Sequence, residues 1–342
     1  MTGTSVDQPV RSPRPPRRPT AADGLVVVDK PAGWTSHDVV ARMRRIAGTR
    51  KVGHAGTLDP MATGVLVLGI GRATRLLTYV VGADKEYVAT IRLGVSTTTD
   101  DAEGETLARI DASAVSPAAI DAGVDALTGV IEQVPSTVSA IKVDGQRAYA
   151  RARAGEQFEL AARPVTIARF EVHAIRRAPM PDDDPSVAPP GAAPRAAPGA
   201  AVPPPTDGAL VLDVDVTVVC SSGTYIRALA RDLGAALGVG GHLTALRRTR
   251  VGGYPVELAR TLDELEALPD DVPLDVLSLA DAARATFPVR DLTAEEAASL
   301  SYGKPVGACA PGPEPVAAIA PDGTLVALLA AQGRPILVFA PA

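Results

Sequence analysis

The clearest hydrophobic pattern lies in the middle of the chain. Every second residue of 210–220 is apolar, which is the period of a strand with one buried face. The residues on that face are Leu212, Val214, Val216 and Val218. Residues 165–175 are also strand-like, and the short apolar runs 24–28 and 65–68 have the length and branching of buried strands. The pattern therefore predicts a sheet.

A period of three to four residues predicts two helices. Ser36 stands where it can cap the first helix, and Gly48 stands where the helix ends. The apolar face of this helix consists of Val39, Val40, Met43, Ile46 and Ala47. The second helix follows the strand at 210–220, and its apolar face consists of Leu229, Leu233 and Leu237. Together, strands and helices in this order indicate an α+β fold.

Composition divides the chain into regions. Residues 1–22 carry Pro, Arg, Ser and Thr with almost no apolar content, so we expect a disordered tail. Residues 178–207 are dominated by Pro, Ala and Gly, and we interpret them as a flexible insertion at a hairpin tip because strand-like segments flank them. The remaining chain forms one large domain at 23–285. It is followed by a small β-rich unit at 286–342, where Thr293 and Glu296 are predicted to form a capping box that opens a short helix.

Overall composition excludes several classes of protein. The chain has 342 residues, is 46% hydrophobic and has a mean hydropathy of +0.14, but no apolar run reaches the roughly 18 residues of a membrane helix. Arginines and prolines occupy the N-terminus, where a signal peptide needs an apolar segment, so we expect a cytoplasmic protein. Cys220 and Cys309 are far apart and lack the spacing of metal ligands. The sequence also contains no nucleotide-binding fingerprint, and we expect neither metal nor cofactor.

The net charge of -5 is unfavourable for nucleic acid, but the charges are unevenly distributed. One basic cluster lacks any acid between its members, namely Arg42, Arg44, Arg45, Arg50 and Lys51. A second consists of Arg247, Arg248 and Arg250. Acids concentrate elsewhere, for example at Asp100, Asp101, Glu103 and Glu105. Charge alone fits either a locally positive binding face or ordinary solvated surfaces.

Residues 53–64 are the densest candidate for chemistry. Gly53, Gly56 and Gly64 permit close backbone approach, while the proline that follows Asp59 holds this aspartate in extended geometry. A carboxylate fixed beside a buried strand suits a nucleophile. An Asp-Pro in a glycine-rich loop is more often a simple turn, so the loop by itself leaves both interpretations open.

Two further segments place polar side chains at the ends of predicted strands. Residues 221–227 lie between the strand at 210–220 and the second helix, where Tyr225 and Arg227 could reach a carboxylate or a phosphate. Tyr87 heads a strand beside charged residues and could stack on a base. A helix cap and a rim tyrosine are the simpler alternatives for these two segments.

Taken in order, these blocks resemble the TruB family of tRNA pseudouridine synthases over roughly residues 24–260. The matching blocks are 24–36, 54–64, 84–87, 133–149, 223–227 and 246–248. The resemblance implies a mixed, largely antiparallel sheet with flanking helices, and a C-terminal PUA-like RNA-binding domain. It also implies an enzyme that isomerises the T-loop uridine at tRNA position 55. This isomerisation gains no atoms and needs no cofactor, and we expect the protein to be a monomer.

The resemblance implies roles for individual residues. Asp59 matches the catalytic aspartate, which attacks either C1′ of the sugar or C6 of the base, and Arg227 matches the arginine paired with it. Tyr87 matches the tyrosine that packs on the flipped uracil. The remaining matches are the pocket walls Tyr225 and Leu246, the histidine His54 that fills the space left by the extruded base, and the supporting Lys30 with Pro31. Flipping a nucleotide costs a few kcal/mol, which such stacking contacts offset in part.

The sequence departs from the family pattern at Thr57, where alanine is common, at Trp34, and in the added segment 178–207. No catalytic position is lost. Two other classes of protein are alternatives: a non-catalytic RNA-binding or tRNA-folding module, and a nucleoside glycosidase. A glycosidase needs a second placed carboxylate, and no block of the sequence supplies one.

Overall fold

The computed structural model describes residues 18–136, 160–181 and 208–340, and in addition the backbone of two short strands at 142–143 and 146–147. The helices are α1 (Ser36–Ile46), α2 (Leu77–Gly82), α3 (Pro117–Ala126), α4 (Ile226–Ala236), α5 (Leu262–Glu266), α6 (Leu279–Thr286) and α7 (Ala294–Ser301). The first ten strands are β1 (Gly24–Lys30), β2 (Val52–His54), β3 (Thr63–Ile70), β4 (Lys85–Leu93), β5 (Val95–Thr97), β6 (Thr106–Arg109), β7 (Gly129–Gln133), β8 (Lys142–Val143), β9 (Gln146–Arg147) and β10 (Arg163–Pro179). The others are β11 (Leu210–Cys220), β12 (Gly241–Val251), β13 (Tyr254–Pro255), β14 (Arg260–Thr261), β15 (Leu277–Ser278), β16 (Val289–Asp291), β17 (Val316–Ile319), β18 (Leu325–Leu329) and β19 (Pro335–Val338).

Within the described residues, one sheet of eleven strands organises the large domain. Its main path runs β14-β1-β3-β12-β4-β11-β10-β7, while β2, β13 and β15 pair at its sides. Two pairs on this path, β1 with β14 and β3 with β12, are parallel, and the others are antiparallel. The prediction of a mixed, largely antiparallel sheet is confirmed.

Strands β10 and β11 form the predicted hairpin. Pairing continues from Ile167 with Cys220 to Pro179 with Leu210, so the ladder extends slightly into the segment assigned to the insertion. Residues 182–207, which would form the tip, lie outside the described residues. Because β11 also pairs with β4 from Leu212 to Cys220, the hairpin lies inside the sheet and supports the strand that carries Tyr87.

Helix α1 begins one residue earlier than the sequence pattern predicted. Thr35, not Ser36, is the N-cap, and it forms a capping box with Asp38. Ser36 is instead 1% exposed and turns its hydroxyl to the backbone of Leu58. The cap prediction was wrong because either neighbour can cap a helix, and a tertiary contact decides between them.

Residues 18–22 are packed against the large domain, although their composition placed them in the predicted tail. Ala21 is 7% exposed and donates its backbone N–H to Ala47 O. Arg18 donates to the carbonyl oxygens of Leu265, Glu266 and Leu268 beside the end of α5. The chain is therefore packed against the large domain from Arg18 onward, and residues 1–17 lie outside the described part.

The C-terminal unit contains a four-stranded sheet in the order β16-β17-β18-β19. It shares an apolar core with β1, β3 and α6 of the large domain. Arg72 and Arg75 donate to the carbonyl oxygens of Phe339 and Val338 at 2.6 and 2.7 Å, which ties the last strand to the large domain. This shared core explains how a unit too small to be stable alone stays folded. No helix in the described segments is long and apolar enough to cross a membrane.

Gly64 marks a close approach between two strands. It follows the candidate loop, has φ +98°, and an added Cβ would lie 2.2 Å from the carbonyl oxygen of Arg248 in β12. We expect Gly64→Ala to lower the free energy of unfolding by about 3 kcal/mol, because it adds backbone strain to a steric clash. Urea denaturation measures this loss.

Gly129→Ala provides the matched control. Gly129 has φ +94°, but an added Cβ would meet nothing within 4 Å. Its loss should therefore be limited to the backbone strain of about 1–2 kcal/mol. Equal losses in the two variants would show that the contact between β3 and β12 is not tight.

Candidate functional site

A pocket of about 250 Å³ opens at one end of the main sheet. It is formed by the loop at 56–59, by Val81 of α2, by side chains of β4 and β12, and by residues 221–227, which lead from β11 into α4. Of the predicted site residues, Asp59, Tyr87, Tyr225, Arg227 and Leu246 all line this pocket. Segments separated by more than 150 positions in the sequence therefore meet in one place.

Asp59 and Arg227 form a two-point ion pair in the pocket. Arg227 Nε lies 3.0 Å from Oδ2 of Asp59, and Arg227 Nη2 donates to Oδ1 at 3.1 Å. The arginine side chain is 3% exposed, whereas the aspartate side chain is 35% exposed. The guanidinium is thus buried behind the carboxylate, and the carboxylate faces the open space. A two-point contact of this kind fixes orientation as well as charge.

Asp101 is a second carboxylate on the same guanidinium, and it was not among the predicted site residues. Its Oδ2 lies 3.2 Å from Arg227 Nη1, which also donates to Thr99 O at 3.0 Å. Asp101 is 2% exposed. The sequence analysis noted only that the acids at 100–105 lie apart from the two basic clusters, and it gave Asp101 no role in the site. Asp100 has φ +60°, a rare value outside glycine, in the turn that leads to Asp101.

Burial is the main electrostatic influence on Asp59. Desolvation raises the pKa of its carboxyl, and Asp101 raises it further. Arg227 and Lys30 lower the pKa of the same group. The carboxylate is therefore poorly solvated and balanced by fixed cations, which favours a reactive rather than a passive group.

Side chains from two elements hold the loop of Asp59 in place. Ser36 Oγ accepts from the N–H of Leu58 at 2.9 Å and donates to its carbonyl at 3.2 Å. Lys30 Nζ donates to Pro60 O at 3.1 Å. Lys30 is fully buried, and desolvation lowers its pKa to about 8. Lys30 lies beneath the loop and does not line the pocket, in keeping with a supporting position.

Arg248 holds the other side of this loop, and sequence reasoning missed it. It is 1% exposed, and its Nη2, Nη1 and Nε donate to the carbonyl oxygens of Gly56, Thr57 and Val65 at 3.2, 3.4 and 2.7 Å. Arg248 also lines the pocket. A buried guanidinium thus connects the loop with β3 and gives the pocket a fixed positive charge.

Tyr87 is 8% exposed and presents its phenol ring to the pocket from β4. Burial raises the pKa of the phenol, and the positive charge of Arg248 acts in the opposite direction. Leu246 is 7% exposed on the neighbouring β12 and supplies an apolar wall. An aromatic ring, an aliphatic wall and an ion pair in a small pocket are suited to a flat, polar ring.

His54 does not line the pocket. It is half-buried at the end of β2, and its ring packs edge-on against exposed His37 with the centroids 5.7 Å apart. Burial lowers the pKa of His54, and the neighbouring His37 lowers it further. Two imidazole rings therefore pack together outside the lining of the pocket that Asp59 faces.

The second basic cluster, Arg247, Arg248 and Arg250, does not form an unpaired positive surface. Arg247 makes two hydrogen bonds to Asp29, at 2.9 and 2.7 Å, and Arg250 makes two to Asp84, at 3.2 and 2.7 Å. Arg248 is buried. In the first cluster, Arg42 and Arg45 pair with Glu266, while Arg44, Arg50 and Lys51 are exposed.

Two solved structures have a fold similar to that of this chain. A solved structure of an H/ACA RNP bound to a substrate RNA containing 2'-deoxyuridine matches with a TM-score of 0.61 and 23% identity, over 93% of this chain and 84% of that one. An archaeal box H/ACA Nop10-Cbf5 complex matches with a TM-score of 0.60 and 24% identity, over 93% and 85% of the two chains. The chain has the pseudouridine synthase fold.

Sequence comparison then gives the family. The model of the TruB family pseudouridylate synthase N-terminal domain matches residues 44–182, and that of the tRNA pseudouridine synthase II C-terminal domain matches residues 287–340. A tRNA pseudouridine synthase B from Arthrobacter sp. (strain FB24) is 61% identical over 84% of this chain and 83% of the relative. Another, from Thermobifida fusca (strain YX), is 60% identical over 85% and 92%. The chain belongs to the TruB family of pseudouridylate synthases.

Proposed function

We propose that this protein isomerises a uridine in the T-loop of tRNA, at tRNA position 55, to pseudouridine, with Asp59 as the nucleophile. The observation that carries the proposal is the carboxylate of Asp59, paired at two points with buried Arg227 and facing a pocket lined by Tyr87 and Leu246. Support for tRNA as the substrate comes from the curated relatives, which are named tRNA pseudouridine synthase B.

The reaction exchanges one bond of the base for another. The bond from N1 to C1′ breaks, a bond from C5 to C1′ forms, C5 loses a proton and N1 gains one, so the sum of atoms is unchanged. Asp59 supplies the electron pair, either to C1′ or to C6. Because the base must leave the RNA stack to reach the pocket, Tyr87 packing on the flipped uracil would offset part of the unstacking cost.

Asp101 does not make the site a two-carboxylate glycosidase. Its Oδ2 is held by Arg227, and its Oδ1 accepts from Thr99 Oγ1 at 2.5 Å and from the N–H of Glu103 at 3.0 Å. At 2% exposure it has no access to a substrate. Asp101 therefore orients Arg227, and Asp59 is the carboxylate available for attack.

Release of tritium from RNA labelled at C5 of uridine tests the proposed function. The substrate is a tRNA transcript, and the control is the same transcript with cytidine replacing the uridine at tRNA position 55. We expect one equivalent of tritium released from the first transcript beyond the second. Equal release from the two would contradict the proposed specificity, and no release from either would contradict the activity.

The pH dependence of the rate follows from the raised pKa of Asp59. The nucleophile reacts as the carboxylate, so the reactive fraction increases as pH rises through this pKa. We expect the single-turnover rate to rise across the acid range, with a midpoint above the ordinary aspartate value of about 4, and then to level off. Circular dichroism at each pH separates this effect from unfolding. A rate that stayed flat down to about pH 4 would contradict the raised pKa.

A further inference from the structure

Gln133, the last residue of β7, forms two hydrogen bonds through its carboxamide, both with the backbone of Tyr225. Its Nε2 donates to the carbonyl oxygen of Tyr225 at 3.1 Å, and its Oε1 accepts from the N–H of Tyr225 at 2.9 Å. The side chain therefore pairs with a backbone as a neighbouring strand would. Gln133 is 1% exposed and does not line the pocket.

Tyr225 is the residue at which α4 begins. It is the N-cap, its side chain makes no capping hydrogen bond, and its carbonyl accepts from the N–H of Leu229 at 3.2 Å. Gln133 thus fixes the start of the helix from outside. Arg227 is the second residue of α4, about 3 Å further along the axis, so a shift at Tyr225 would pass directly to its guanidinium.

Val134, the residue after Gln133, contacts an arginine that pairs with the neighbour of Asp101. The carbonyl of Val134 accepts from Arg231 Nη2 at 2.7 Å, and Arg231 Nη1 lies 3.3 Å from Oδ2 of Asp100. Asp100 directly precedes Asp101, which binds Arg227. The segment that begins at Gln133 therefore braces both α4 and the turn that holds Asp101.

We propose that Gln133 is a positioning residue for the isomerisation, which sets the guanidinium of Arg227 against the carboxylate of Asp59 by fixing the backbone of Tyr225. The proposal rests on the function proposed above and extends it to a residue outside the pocket. Displacement of a reacting group by about 1 Å can cost about 100-fold in rate. A loss of this pairing should therefore slow the chemical step more than it weakens RNA binding.

Gln133→Glu tests the pairing with almost no change of shape. The carboxylate can still accept from the N–H of Tyr225, but it places a negative oxygen against the Tyr225 carbonyl, where the amide donated. We expect the single-turnover rate at about pH 8 to fall by about 30-fold to 100-fold, with RNA affinity within about threefold.

A pH series distinguishes positioning from general damage. When the new glutamic acid is protonated, its O–H can donate to Tyr225 O again, and burial favours the neutral form. The ratio of the variant rate to the wild-type rate should therefore rise as pH falls toward about 5. Gln332→Glu makes the same chemical change at an exposed turn, and its ratio should stay near one. A ratio for Gln133→Glu that does not change with pH would overturn the proposal.

A double-mutant cycle with Arg227→Lys tests whether Gln133 acts through Arg227. If it does, Gln133→Glu should cost less than about threefold in the Arg227→Lys background, because the geometry it controls is already lost. The same fold-loss in both backgrounds would overturn the proposal. Should Gln133→Glu not fold, Gln133→Met, which keeps the volume, takes its place in the cycle.

The wild-type protein separates this inference from the proposed function. If the wild type forms no pseudouridine in the transcript, the proposed function fails, and the role of Gln133 fails with it. If the wild type is active and the two substitutions multiply independently, only the role of Gln133 fails.

Discussion

Asp59→Asn should abolish pseudouridine formation while the protein remains folded and bound to RNA. The amide keeps the volume of the carboxylate but has no electron pair of comparable reactivity, so the single-turnover rate should fall by about four orders of magnitude or more. RNA affinity should stay within about tenfold, because one neutralised pocket charge changes no phosphate contact. Single-turnover kinetics and filter binding measure the two quantities.

Asp29→Asn is the matched control for the Asp59 substitution. Asp29 also accepts two hydrogen bonds from an arginine, Arg247, but it does not line the pocket. Its loss should change the rate by less than about tenfold. Comparable rates for Asp59→Asn and the wild type would remove the nucleophile from the proposed mechanism.

Arg227→Met should lower both stability and rate. It leaves Asp101, at 2% exposure, without its counter-charge, and breaking a buried ion pair in this way costs about 3–5 kcal/mol. It also frees Asp59 to rotate, so the single-turnover rate should fall by at least about 100-fold. Arg227→Lys keeps the charge but loses the two-point contact, and its rate should lie between those of the wild type and Arg227→Met.

Arg250→Met is the control for stability. Its partner Asp84 has a half-exposed side chain, and such surface pairs contribute at most about 1 kcal/mol. Thermal and urea denaturation of the two methionine variants should therefore differ clearly. If Arg227→Met were as stable as Arg250→Met, the buried ion pair would not hold the site together.

Local patterns were sufficient for much of the fold. The alternation in residues 210–220 predicted β11 to its ends, because a strand buried on one face must repeat every second residue. The capping box at Thr293 and Glu296 was also correct, since both of its hydrogen bonds form within one turn. The cap of α1 was misplaced by one residue because the deciding contact, from Ser36 to Leu58, spans 22 positions.

The buried charged residues around Asp59 could not be predicted from local sequence patterns. Asp101 is one of several acids in an exposed-looking turn, and only the fold shows that it faces Arg227. Arg248 stands between two other arginines, and their charge alone fitted either a binding face or an ordinary solvated surface. Alternation along β12 could have identified Arg248 as buried. Neighbouring residues of a strand face opposite sides of the sheet, so Arg247 and Arg248 cannot both point to solvent.

The proposed function predicts where in the tRNA pseudouridine forms, and that its formation requires Asp59. The measurement is a nucleotide-resolution map of pseudouridine in a full tRNA transcript treated with the wild type or with Asp59→Asn. The proposed function predicts one modified nucleotide, in the T-loop, for the wild type and none for the variant. Pseudouridine formed by Asp59→Asn, or formed by the wild type only outside the T-loop, would contradict it.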